Sequence, residues 1–246
     1  MKITGISLVI ASQQLLDQVS FEIPEGSLFA ILGPNGAGKT LLLRCLAGLL
    51  KPDQGSIEGM PEPLAWVPLS HTLPFGFVVQ ELVLMGRYAS HQGFVQAADV
   101  AKADAALKAV GIEKLSGRSY NSLSRGEQTK VDIARAIASE AKVILLDEPF
   151  SNLDIDAVLH MIRLFKTLQA EGRTLIFSHH DLFTVGDLAT HALLLKKGRI
   201  LGSGPLNEVF TAAAIATAYN VRAVFHQHEE GAFVRFQSIT ADSGER

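Results

Sequence analysis

The chain has 246 residues, 48% of them hydrophobic, and a net charge of −3. That length and apolar content suit one large domain, or one core with an attached subdomain. The charge leaves no global basic field for nucleic acid, and the lone Cys45 excludes an intramolecular disulfide, as expected in a reducing compartment. No signal core follows the opening Met1-Lys2-Ile3, and no window approaches the roughly 18 apolar residues of a membrane span. The expectation is a soluble or peripheral protein.

Residues 6–10, 19–23 and 28–32 read as strands, with Pro24-Glu25-Gly26 as a turn. The third run leads straight into Gly33-Pro34-Asn35-Gly36-Ala37-Gly38-Lys39-Thr40, after which Leu41 opens a helix reaching about residue 47. Gly, four residues, Gly, Lys and then Thr is the spacing of a phosphate-binding loop, and strand–loop–helix is its required context. Glycines let backbone N–H groups turn toward phosphate oxygens, and the helix N-terminus adds positive potential. Lys39 is expected to reach the β- and γ-phosphates of a nucleotide, and Thr40 to place its hydroxyl on Mg²⁺.

Residues 48–59 are turn-rich, and 64–67 read as a strand. From about 71 to 139 strand signals vanish and helical spacing takes over, at 78–85 and 97–110. Leu123-Ser124-Arg125-Gly126-Glu127-Gln128 precedes a helix over 129–139. Ser124 and Gly126 suit a helix start that meets an anion, although an ordinary N-cap has the same pattern. Residues 143–146 form an apolar strand ending in Asp147-Glu148-Pro149. Acids at a strand's carboxyl end beside a phosphate loop suit a metal and water site. Asp147 is expected to hold Mg²⁺ through its water shell, and Glu148 to take a proton from the attacking water. A helix over 155–169, a strand over 174–177, a helix after Asp181 and a hairpin over 192–201 follow. Strands alternating with helices predict a parallel sheet. A second hairpin is expected around Glu229-Glu230-Gly231, with His226, His228 and Glu229 on a solvated face rather than on a metal.

Together these segments resemble the nucleotide-binding subunit of the ATP-binding cassette (ABC) transporters, over roughly residues 1–205. The phosphate loop, helical insert, signature segment and Asp-Glu strand stand in that family's order. The resemblance implies an α/β P-loop NTPase with a mixed sheet. The ATP-binding core would span 1–70 and 140–205, a helical signature subdomain 71–139, and a C-terminal extension 206–246. It implies a head-to-tail dimer with ATP at the interface, in which Ser124 and Gly126 contact the γ-phosphate bound by the other copy. Asp154, in Ser151-Asn152-Leu153-Asp154, would lie in the segment crossing between copies. In Phe177-Ser178-His179-His180-Asp181, His180 aligns as the γ-phosphate sensor. Residues 79–88 look most like importers of chelated metals (iron–siderophore, haem or cobalamin), with zinc and manganese systems close behind. Partners would be polytopic permease subunits at the inner face of the cell membrane and, indirectly, a substrate-binding protein. A soluble non-transport ABC ATPase and a weakly hydrolytic regulatory binder are the alternatives.

Three positions depart from the family pattern. Leu69 stands where relatives carry a metal-ligating Gln, and leucine has no oxygen to offer. Ile10 takes the place of an aromatic residue that stacks on adenine. Arg125 replaces a Gly in the signature.

Overall fold

The computed structural model describes residues 1–70, 76–88, 94–179, 181–228 and 231–238. The chain opens with an antiparallel hairpin of β1 (Lys2–Ile10) and β2 (Gln13–Glu22). Next come β3 (Leu28–Leu32), α1 (Lys39–Leu46), β4 (Gln54–Glu58) and β5 (Leu64–Val67). The helical stretch contains α2 (Val79–Leu84), α3 (Ala97–Ala109) and α4 (Arg125–Ala138). It is followed by β6 (Val143–Leu146), α5 (Ile155–Ala170), β7 (Thr174–His179), α6 (Leu182–Leu188), β8 (His191–Lys196) and β9 (Arg199–Pro205). Then come α7 (Leu206–Val209), α8 (Ala212–Tyr219) and a hairpin of β10 (Val221–His228) and β11 (Gly231–Ser238).

The main sheet has the order β5-β6-β7-β3-β8-β9. Its pairs are parallel except β8–β9, so the sheet is mixed. Every residue of β3 and β6 is buried, as their unbroken apolar runs require of parallel strands covered on both faces. Alternation sorts the side chains between two cores. Leu28, Ala30 and Leu32 pack with Met161 and Phe165 of α5 and with the helical stretch. Phe29 and Ile31 pack with Leu42 and Leu46 of α1 and with the small antiparallel sheet β2-β1-β4.

Local structure differs from expectation in three places. The turn-rich run contains β4, an edge strand whose side chains are almost all exposed. Residues 13–18 extend β2 and fold back from β1 through Ala11 and Ser12, both at positive φ. Helix α4 starts at Arg125, four residues earlier than expected, because Ser124 and Glu127 form a reciprocal capping box.

A buried cation ties the helical stretch together. Arg87 donates to Asp99 (3.1 Å), Glu140 (2.7 Å) and the Ala138 carbonyl at the end of α4 (2.8 Å). Among the described residues no helix is long and apolar enough to cross a membrane. His180, Glu229, residues 71–75 and 89–93, and the side chains of His226 and His228 lie outside the described residues.

Candidate functional site

The phosphate loop joins the carboxyl end of β3 to α1, at the edge where open α/β sheets bind ligands. Gly33 has φ 145°, and a Cβ there would lie 2.2 Å from the Leu195 carbonyl oxygen of β8. Gly38 caps α1 at φ 104°, where a Cβ would meet a methyl of Leu16 at 2.9 Å. Both positions therefore require glycine. Lys39 is buried, and its ammonium donates to the carbonyls of Gly33 (2.8 Å) and Pro34 (3.2 Å). Burial lowers its pKa, opposed by the nearby charges of Glu148 and Asp147.

β7 lies between β3 and β6, and the ends of all three strands converge. The Thr40 hydroxyl donates to Asp147 Oδ1 at 3.1 Å, and the Ser178 hydroxyl donates to the same oxygen at 2.7 Å. Ser178 Oγ also accepts the Glu148 N–H at 2.8 Å. The Asp147 N–H donates to the Val67 carbonyl (2.9 Å), tying the acid pair to the end of β5. Glu148 has φ 48°, a left-handed conformation that a residue with a side chain holds at a cost. Phe150, with its ring centroid 5.4 Å from Phe165 and 5.3 Å from His179, anchors the turn behind it. A cleft of about 410 Å³ is lined by residues 35–41 of the loop, by Glu148 and by Leu15.

The structure thus brings Lys39, Thr40, Asp147 and Glu148 together. Ile10 and Val9 sit half exposed at the end of β1, whereas the cleft wall is Leu15 of β2. Leu69 is exposed two residues beyond Val67. Ser124 and Gly126 lie at the start of α4, where Ser124 Oγ accepts the Glu127 N–H at 3.3 Å. A Cβ on Gly126 would come within 2.5 Å of the Asn152 carbonyl, so within one chain this glycine serves the close approach of the segment leading to α5. Asp154 caps α5, accepting from the Ala157 N–H at 2.8 Å.

Sequence reasoning missed Leu15, Ser178 and Tyr219. Ser178 lies inside the switch run, but nothing local distinguishes it. Leu15 carries no polar signal. The Tyr219 hydroxyl accepts the Gly33 N–H at 3.0 Å across 186 residues of sequence, a contact no local pattern announces. Cys45 is buried in α1, and burial pushes its thiol up to about 11, consistent with an inert structural role.

Fold and sheet edge together define an ATP-binding subunit of the P-loop class. The chain belongs to the ABC transporter family, whose sequence profile matches residues 16–151. It is 33% identical, over 93% of its length and 90% of the relative's, to the hemin import ATP-binding protein HmuV of Gloeobacter violaceus. It is 31% identical to the cobalamin import ATP-binding protein BtuD of Halobacterium salinarum, over 89% of this chain but only 58% of that longer protein. Among solved structures it superposes, with TM-score 0.85 and 30% identity over 98% of this chain and 97% of the other, on a chain assigned to the metal-chelate type of ABC transporter in an inward-facing conformation.

Proposed function

We propose that the chain is the ATP-hydrolysing subunit of an importer, driving uptake of a metal or metal chelate through a separate membrane permease. One observation carries the hydrolytic reading: Lys39, Thr40, Asp147 and the strained Glu148 meet at a single sheet edge, locked by Ser178. The haem and cobalamin relatives support the cargo class. ATP lies along the loop from Gly33 to Leu41, with Lys39 on its β- and γ-phosphates. Glu148 takes the proton of the attacking water, and His180 senses the γ-phosphate. Two copies meet head to tail, so that Ser124 and Gly126 of one face the ATP of the other and Asp154 lies in the segment between them.

Thr40 and Asp147 would hold Mg²⁺. Their hydroxyl and carboxylate oxygens are hard donors, Thr40 to the ion itself and Asp147 through its water shell, which suits an ion that keeps water and phosphate around it. When bound, the ion neutralises charge on the phosphates. Leu69 adds no third oxygen.

Co-purification from detergent-solubilised membranes, with mass spectrometry of the bound proteins, tests the proposal. The expected result is a polytopic permease in equal amount, which ties the chain to that membrane. Recovery of only a soluble partner would replace transport with a non-transport ATPase role.

The adenine end of the site gives a further expectation. Ile10→Tyr supplies an aromatic face and tightens ATP binding about fivefold, equivalent to about 1 kcal/mol of stacking. Titration with a fluorescent ATP analogue measures it, and an unchanged affinity would refute the placement of adenine at the end of β1.

A further inference from the structure

Gly33 is held from two sides. Its carbonyl accepts the Lys39 ammonium at 2.8 Å, and its N–H donates to the Tyr219 hydroxyl at 3.0 Å. Tyr219 is the last residue of α8, which Asn220 closes in a left-handed conformation. The helix is anchored independently of the loop. Lys196, at the end of β8, donates to the Thr217 carbonyl. Ile215 forms a small apolar cluster with Leu182 and Ala223, against which Tyr219 and Phe236 pack. Leu182 opens α6, directly after Asp181 of the switch run. The C-terminal elements therefore touch both the mouth of the phosphate loop and the helix that follows the switch run.

This contact matters because Gly33 has no side chain to fix its peptide. Its φ of 145° lies where only glycine is comfortable, and glycine is also the residue most free to leave. A loop that wanders must be reordered each time it binds a ligand, and that cost subtracts from affinity. Burial pushes the Tyr219 phenol up to about 12, so its oxygen stays a neutral acceptor at physiological pH.

We infer that Tyr219 is a positioning residue for ATP: by accepting the Gly33 N–H it fixes the peptide that leads into the phosphate loop, on the opposite side of Gly33 from the carbonyl that the Lys39 ammonium holds. The inference rests on the reading of this loop as the ATP site. It makes the C-terminal extension part of the nucleotide site.

Tyr219→Phe keeps the ring and its packing and removes only the hydroxyl, whose oxygen accepts the Gly33 N–H. In the full-length chain, well below its melting temperature, the variant is expected to bind ATP roughly five- to tenfold more weakly, with KM for ATP raised alike and kcat within about twofold of wild type. Leu107→Ala, which opens a cavity in α3 where that helix packs against α2 and α4, is the control for a general loss of stability. It lowers the melting temperature and leaves KM for ATP unchanged. Equal ATP affinity in wild type and Tyr219→Phe overturns the inference and leaves the ATP site standing. A KM shift of the same size in Leu107→Ala overturns it too, by reducing the effect to general loosening. A wild-type chain that binds no ATP at all refutes the site itself and the inference with it.

Discussion

Replacing Glu148 by Gln lowers ATP turnover by at least about a hundredfold while ATP stays bound, since a positioned general base contributes about 10²–10⁴ in rate. Gln keeps the size and one oxygen of the carboxylate but cannot accept a proton at neutral pH. The main chain that aims it is unchanged: the 148 N–H still donates to Ser178, and Phe150 still anchors the turn. Binding survives because the phosphates depend on Lys39 and the loop, and removing a negative charge from the cleft wall reduces repulsion of the nucleotide. Phosphate release measures turnover, and a fluorescent nucleotide measures binding. Equal hydrolysis by the two proteins would eliminate Glu148 as the base.

Gly33→Ala has the largest expected effect on stability. The new methyl would stand 2.2 Å from the Leu195 carbonyl oxygen, against backbone of the adjacent strand rather than a side chain that can swing away. The φ of 145° adds strain for any residue with a Cβ. Relief requires the loop to lift off β8, which also breaks the Tyr219 hydrogen bond. A cost of roughly 3 kcal/mol or more is expected, a fall of about 6–12 °C in Tm for a chain of this size. Thermal denaturation reads it directly. A Tm within about 2 °C of wild type would mean that the loop does not press on β8.

Both expectations concern residues visible in the sequence, and the reason is physical. Strands β3 and β6 are buried on both faces, so each is a run of consecutive apolar residues. The chemistry sits where such a run stops, at Gly33 and at Asp147. Edge elements lack that contrast. β4 has one half-buried apolar residue, Ile57, and is a strand only because β1 pairs with it. The hairpin between β1 and β2 turns through Ala11 and Ser12 rather than glycine or asparagine, so turn chemistry gave no warning of it.

The sequence by itself determined the phosphate loop, the acid pair, the signature segment and, through their order, the ABC resemblance. Each is a short run whose backbone geometry or charge must be written locally. Tertiary structure decided which residues support them. Ser178 bridges Asp147 and Glu148, Leu15 walls the cleft, Gly126 serves Asn152, and Tyr219 holds Gly33. These are pairings between ordinary residues distant in the chain, set by how β7, β2 and α8 are laid against the loop. A hydroxyl or a methyl carries no mark of its partner until the sheet brings the two within hydrogen-bond or van der Waals reach.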